Sequence, residues 1–161
     1  MLNEPVRKFL DGPRFGALCY ADADGRPVLA RSLGWAYGEG GADLAFATRP
    51  DLMPWTPPLD VPFRVAVVIS RGDRFEAMQL KGTARVRRAT PADIAHARTM
   101  MNALGEIVQS VSGVSAELYR NVVGDEALVF DVVVEEAFQG SPGPGAGARL
   151  GADAAGTGGA A

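Results

Sequence analysis

The side chains that most often perform catalysis or bind metals are scarce in this chain of 161 residues. It contains one histidine, His96, and one cysteine, Cys19, and two such distant residues cannot supply the three or four ligands of a metal site. No second histidine is present to act as a base for a serine nucleophile, and neither a Gly-x-Ser-x-Gly motif nor a phosphate-binding loop motif occurs. We therefore expect no metal site, no catalytic triad and no obvious catalytic acid or base.

Three aromatic residues could instead stack on the ring of a ligand. Trp35, Tyr37 and Trp55 are large enough for this, although such residues usually anchor a core or an interface between subunits. Trp55 is the more promising of them because it lies in the segment 49–62, "RPDLMPWTPPLDVP". Its five prolines exclude a helix interior and a central strand, so the segment is predicted to be a stiff connecting loop.

A glycine within a strand-like run marks another candidate position. The run "MQLKGTARV", 78–86, places Lys81 and Gly82 near its middle. Glycine weakens a strand, so its presence indicates either a ligand or a second backbone that comes close, or a bulge at the corner of a barrel. Both interpretations of Lys81 and Gly82 stay open at this point.

Charge and hydropathy exclude several classes of partner. The net charge is -3 and the calculated pI about 5.2, so no basic field exists to attract nucleic acid or an anionic membrane surface. The basic cluster "ARVRR", 84–88, alternates between the two faces of a strand and lacks interleaved aromatic residues. The first ten residues carry charges at positions 4, 7 and 8 and contain no apolar core of a signal peptide. No apolar run approaches the ~18 residues of a membrane span. Cys19, in the apolar run "FGALCYA", is predicted to be a small buried hydrophobe, and we expect a cytoplasmic protein.

Hydrophobic periodicity and capping residues predict an order of one helix, five strands, two helices and a last strand. Asn3 can cap the first helix, and Thr90, Pro91 and Asp93 suit the start of the long one. The predicted helices cover 4–11, 90–110 and 115–123, and the predicted strands cover 14–21, 26–37, 43–48, 63–70, 75–88 and 127–138. The fold class is therefore mainly β with α: a six-stranded antiparallel barrel with a short N-terminal helix and a helical crossover before the last strand.

One domain is expected over 1–138. The remaining segment, 139–161, contains eight glycines and two prolines and little to bury, so we predict a Gly/Pro/Ala-rich tail that is disordered from about residue 148.

In strand order and in several motifs, residues 1 to about 138 resemble the FMN-binding split-barrel family, which includes pyridoxamine 5'-phosphate oxidase and its deazaflavin-using relatives. The segments that carry the resemblance are "FGALCYADADGRPVLARSL", "DLAFAT", "VPFRVAVVI" and "LKGTARV", and more weakly "FQGSPGPGAG". The resemblance implies a split barrel that forms a homodimer and holds two flavins in clefts between the subunits.

The resemblance also implies a set of cofactor-binding residues. Arg31 matches the phosphate arginine of the family and Thr48 its phosphate threonine, with Arg49 adjacent; a guanidinium and a hydroxyl are suited to donating to phosphate oxygens. The glutamine that many members aim at the flavin ring falls near Ala77, and Gln79, two residues away on the same strand face, would substitute for it. Trp55 would also border the ring, and Lys81 would line the cleft. For Arg31 and Thr48 the alternative is an ordinary structural role on the strand.

Departures from the family pattern keep the cofactor open. The family's lysine late in the second strand falls near Ala36, and its Ser-Arg-Lys cluster is replaced by "PDLMPWTPP". The expected function is a flavin-binding oxidoreductase that uses FMN to act on a small organic substrate. The alternatives are a deazaflavin-dependent reductase, and a split barrel that has lost flavin binding and serves as a ligand-binding module or a non-redox enzyme.

Overall fold

The computed structural model describes residues 2–71 and 75–150. Its helices are α1 (Glu4–Leu10), α2 (Pro91–Ser112) and α3 (Glu117–Arg120), with a 3-10 turn at Pro50–Leu52. Its strands are β1 (Phe15–Ala21), β2 (Pro27–Ser32), β3 (Trp35–Tyr37), β4 (Leu44–Thr48), β5 (Phe63–Arg71), β6 (Glu76–Arg88), β7 (Leu128–Gln139) and β8 (Arg149–Leu150). The predicted turn between β5 and β6 lies for the most part outside the described residues.

The strands form one antiparallel sheet in the order β2-β1-β5-β6-β7-β4-β3, with β8 beside β7. The edge strands β2 and β3 are consecutive in the chain, so the residues between them join the two ends of the sheet. There Leu33 N–H donates to the Ala47 carbonyl at 2.8 Å, and Ala47 N–H donates to the Gly34 carbonyl at 2.9 Å. The sheet therefore curls into a half-barrel, as the α+β split-barrel prediction requires.

The predicted count of six strands is wrong, because the described residues contain eight. The single strand predicted over 26–37 is broken at Gly34, whose φ of 126° lies in a region that side chains rarely adopt. Ser32 caps the break: its hydroxyl donates to the Gly34 carbonyl at 3.0 Å, and Gly34 N–H donates back to it at 3.3 Å. β2 pairs with β1 and β3 with β4, so the break lets one run of chain serve both edges.

The eighth strand lies in the segment predicted as a tail. β7 continues to Gln139, and β8 pairs with it through Ala137↔Leu150 and Phe138↔Arg149. The described part of the tail therefore contacts the sheet, while 151–161 lies outside the described residues. The division at residue 138 stays a prediction.

Two apolar clusters hold the fold together. The interior of the half-barrel is filled by fully buried side chains from most strands, with α1 at one end through Val6 and Leu10. A second cluster lies on the outer side of the sheet, where Met101 and Leu104 of α2 pack against Leu33 and Ala47. Among the helices within the described ranges, none is long and apolar enough to cross a membrane.

Helix α2 begins at the predicted residues. Thr90 accepts from Asp93 N–H at 3.2 Å, and the Asp93 carboxylate accepts from Thr90 N–H at 2.7 Å, which completes a capping box before Pro91. Gly113, with φ 75°, ends the helix in the left-handed conformation. The start of the helix is fixed by these local contacts, so its position relative to β6 is well defined.

The glycine of the 78–86 run forms a bulge. The register between β6 and β7 shifts between Lys81 and Gly82, and Glu135 is the extra residue on β7. A Cβ atom at Gly82 would lie 1.9 Å from the Val133 carbonyl oxygen. Gly82 therefore lies at a bulge, and it is also a point where a second backbone comes close.

Candidate functional site

On the outer face of strands β2, β1, β5, β6 and β7, which we call the outer wall, a row of residues paired between neighbouring strands runs from β2 to β7. Arg31 pairs with Ala17, Ala17 with Val68, and Val68 with Gln79, which in turn pairs with Phe138. Side chains of one row across a sheet point to the same face. Arg31 and Gln79 therefore stand three strand spacings apart, roughly 14 Å, with small or apolar side chains between them.

Arg31 is a cation on the outer wall whose guanidinium has no hydrogen-bond or ion-pair partner in the described ranges. The residue is exposed. A guanidinium in this state keeps all its donors for an external anion.

The neighbouring row contains the other members of the wall. It runs from Leu29 through Cys19 and Ala66 to Lys81 and Glu136. The Lys81 ammonium lies 4.8 Å above the centre of the Phe138 ring, a cation–π contact. Cys19 is exposed on this wall, so the prediction that it is buried is wrong: it alternates with the buried Leu18 and Tyr20 and points outward.

Thr48 contacts the backbone of Arg31, and Arg49 follows Thr48 in the chain, but the Thr48 hydroxyl and three of the five N–H groups of Arg49 already have partners. Thr48 is fully buried, and its hydroxyl donates to the Arg31 carbonyl at 2.9 Å, which adds a third bond where the sheet closes. The Arg49 guanidinium donates to both carboxylate oxygens of Asp51 and, at 3.1 Å, to the Val122 carbonyl. Their predicted contacts with phosphate stay predictions, and each would require a present bond to be exchanged.

The aromatic residues considered as stacking partners are placed apart from the outer wall. Trp55 packs against the core, 6.1 Å from the Tyr20 ring centre, and its carbonyl accepts from the Tyr20 hydroxyl at 2.8 Å. Burial raises the pKa of Tyr20 to about 12, so this hydroxyl keeps its proton. Trp35 is buried beside Phe46, while Tyr37 is exposed beneath the Arg7 guanidinium.

A cavity that the sequence did not indicate lies elsewhere. It has a volume of about 650 Å³ and lies between the first half of α2 and the outer faces of β3, β4 and β7. Arg87, Asp93 and Asp131 lie together at one side of it. Alternation along β6 and β7 places Arg87 and Asp131 on the outer face, but only the packing of α2 shows that they meet Asp93.

Within the described ranges, no group of three or more His, Cys, Asp or Glu side chains is arranged to hold a metal ion. His96 is exposed, and its Nε2 lies 2.8 Å from the Trp35 carbonyl oxygen.

Comparison with known proteins identifies similar folds only. No protein-family model matches the sequence, and no curated protein matches it either. HupZ of Group A Streptococcus is 15% identical over 92% of this chain and 99% of its own, with a TM-score of 0.47. HutZ, the heme storage protein from Vibrio cholerae, is 12% identical over 86% of this chain and 95% of its own, with a TM-score of 0.44. A Lactobacillus delbrueckii protein provisionally named a pyridoxamine 5'-phosphate oxidase is 16% identical over 86% of this chain and 93% of its own, with a TM-score of 0.43. Likenesses of this size say nothing about the chemistry of this chain.

Proposed function

We propose that the chain is a homodimeric split barrel that binds FMN or a related flavin between two outer walls and uses it in hydride transfer with a small organic substrate. The observation that supports this most directly is the row on the wall, which has the free Arg31 guanidinium at one end and Gln79 at the other. The sequence motifs that resemble the FMN-binding split barrels point to the same use of this surface.

The apolar side chains exposed on the outer wall support the proposal that a second copy of the chain covers this surface. Leu29 is 64% exposed and Val68 is 43% exposed, and both stand on a sheet face with the small residues Ala17 and Ala66 around them. Covering such a patch is favourable, at about 25 cal/mol for each Å² of apolar surface removed from water. A second copy of the chain offers the same flat surface. Arg31, on the edge strand β2, would then lie at the rim of the interface.

The wall has the groups that a flavin requires. The guanidinium of Arg31 can donate two parallel hydrogen bonds to a phosphate, and the amide of Gln79 can both donate to and accept from the polar edge of a ring. The apolar row between them suits a flat ring system. The flavin would supply the hydride-transfer chemistry, and the residues of the chain would anchor and orient it.

The absorbance spectrum of freshly purified protein, followed by titration with FMN, tests the proposal. We expect bound flavin or saturable quenching of FMN fluorescence, together with a dimer in sedimentation. Arg31→Ala should weaken FMN binding about ten- to a hundredfold, because a charge-assisted hydrogen bond contributes about 1.5–3 kcal/mol. The matched control is Arg26→Ala in the β1–β2 turn, where Arg26 is exposed and pairs with Asp24. A colourless monomer that does not respond to FMN would contradict the proposal.

A second candidate ligand is favoured by the shortage of free cations around Arg31. Ala36 stands near the position of the family's lysine, and the Thr48 hydroxyl and three of the five N–H groups of Arg49 already have partners. A weaker phosphate site would suit a deazaflavin coenzyme or a hydrophobic, haem-like ligand in place of FMN. Parallel titrations with FMN, a deazaflavin coenzyme and hemin decide between them, and tighter binding of either of the last two would replace FMN in the proposal.

A further inference from the structure

The cavity beneath α2 is separate from the outer wall and differs from it in shape and chemistry. Its volume of about 650 Å³ falls within the range of roughly 300–1,000 Å³ that is typical of small-molecule sites. None of the residues of the Arg31 row lines it. Exposed residues of the β3–β4 turn and of α2, among them Glu39 and Ala92, form its rim and leave it open to ligands.

The floor of the cavity is made of small side chains. Ala36 of β3 pairs with Ala45 of β4, and Ala45 pairs with Asp131 of β7. In the next row Ala47 pairs with Val129. Alanines on adjacent strands leave a flat apolar surface about two strand spacings, or roughly 10 Å, across. A flat ring fits such a floor, whereas larger side chains at these positions would fill the space.

The polar side of the cavity carries more negative than positive charge. Arg87 is its one cation, and Asp93, Asp131 and Glu39 are its carboxylates, which gives the lining a net charge of -2 with His96 neutral. Most donors of Arg87 are already used. Its Nε donates to Asp131 Oδ2 at 2.7 Å, and its Nη1 and Nη2 donate to the two oxygens of Asp93 at 2.6 and 3.2 Å. The guanidinium therefore has little donor capacity left for an anionic ligand, and two carboxylates already face its charge.

Arg85 does not neutralise this charge. It stands opposite Asp131 in register, but its guanidinium donates to the Asp60 carbonyl. The start of α2 offers little to an anion either, because the capping box of Thr90 and Asp93 already occupies backbone N–H groups there. The positive end of the α2 helix dipole is compensated by the Asp93 carboxylate in the first turn of the helix.

The carboxylate oxygens left without a partner in the cavity are acceptors. Asp131 Oδ1 and the carboxylate of Glu39 have no hydrogen-bond partner within 2–71 and 75–150. The Trp35 carbonyl can only accept, so the Nε2 of His96, 2.8 Å away, carries the proton. In the neutral ring Nδ1 is then an acceptor, and it too lacks a partner in the described part of the chain. A ligand that satisfies these atoms must bring hydrogen-bond donors.

We propose that this cavity binds a small, flat organic cation of the aryl amidine class. Its ring lies on the floor of Ala36, Ala45 and Ala47, and its N–H groups donate to Asp131 Oδ1 and to the carboxylate of Glu39. Binding here does not depend on a flavin at the outer wall.

The test compares three probes of nearly the same shape: benzamidine, which is cationic, benzamide, which is neutral, and benzoate, which is anionic. His96 is the single histidine of the chain, so its ring proton gives one resolved signal in a proton NMR spectrum and reports occupancy. We expect a saturable shift with benzamidine, binding of benzamide weaker by about tenfold or more, and no shift with benzoate. Equal binding of all three probes, tighter binding of benzoate, or no shift at all would overturn the proposal.

Variants of Asp131 and Glu39 then test which carboxylate contributes to benzamidine binding. Asp131→Asn keeps the shape of the side chain and an oxygen for Arg87 while it removes the negative charge, and it should weaken benzamidine binding about tenfold. Asp125→Asn is the matched control, because Asp125 is exposed, pairs with Arg98 at 2.7 Å and lies outside the cavity. Glu39→Gln, on the exposed rim, gives a second loss of charge that does not disturb Arg87. If both cavity variants bind benzamidine as tightly as the control, the proposal fails, whether or not the protein binds FMN.

Discussion

Replacing Gly82 with alanine would test whether backbone crowding causes the bulge between β6 and β7. The added Cβ would lie 1.9 Å from the Val133 carbonyl oxygen, whereas real Cβ atoms essentially never show contacts under 3.0 Å. The two strands would therefore have to separate by at least 1.1 Å at this point, the difference between those distances. A backbone hydrogen bond of about 2.9 Å does not survive such a displacement.

The expected cost follows from the hydrogen bonds that flank the bulge. If two of them are lost and each leaves a buried group unsatisfied at about 1–3 kcal/mol, the free energy of unfolding falls by about 2–6 kcal/mol. This is a large part of the roughly 5–15 kcal/mol that stabilises an ordinary domain. Guanidinium unfolding followed by circular dichroism measures the loss.

A glycine in the loop between α3 and β7 provides the control. A Cβ at Gly124 would meet the Arg49 Nε at 3.9 Å, an ordinary contact, so Gly124→Ala should change the stability by no more than about 0.5 kcal/mol. If Gly82→Ala lost less than about 1 kcal/mol, the strands would be yielding without broken bonds, and the crowding argument would be refuted.

Two further predictions concern the closure of the sheet and the start of α2. Thr48→Val removes the hydroxyl that donates to the Arg31 carbonyl, and should cost about 1–2 kcal/mol in denaturant unfolding without added ligand; a variant of unchanged stability that binds FMN less tightly would instead assign the hydroxyl to phosphate. The Arg87 guanidinium beside Asp93 holds the pKa of that carboxyl at about 2, below its usual 3.8. Asp93→Asn should therefore cost about 2 kcal/mol near neutral pH, and because the pKa is lowered on folding, the difference from the parent chain should vanish as the pH falls from about 4 through 2. A difference that persisted at pH 2 would show that the ion pair is not its source.

The sequence predicts those parts of the fold that depend on residues close to one another in the chain. Thr90, Pro91 and Asp93 lie within four residues of one another, and the capping box forms as expected. The alternation along β5, β6 and β7 likewise indicates strands, because each has one face toward the interior of the half-barrel.

The break at Gly34 depends on contacts that a sequence pattern does not contain. Ser32 and Leu33 are both buried, since one faces the interior and the other lies under α2, some sixty residues later in the chain. A run of residues that is buried on both faces shows no break in its hydrophobic pattern. The sequence therefore predicts one strand where the structure has two.

The candidate site was predicted only in part for the same reason. Alternation is enough to place Arg31, Gln79 and Lys81 on one outer face, and the structure does so. Besides the local Asp51, the partners of Thr48 and Arg49 are a carbonyl on another strand and a carbonyl that follows α3. Such partners become neighbours only when the sheet closes.

The thiol of Cys19 provides a way to observe how the outer wall is used. It is the single cysteine of the chain and is exposed near the middle of the wall, between Leu29 on β2 and Ala66 on β5. A maleimide therefore attaches at one place. If two copies meet on this surface, alkylation slows as the protein is concentrated, and if they do not, its rate is independent of concentration.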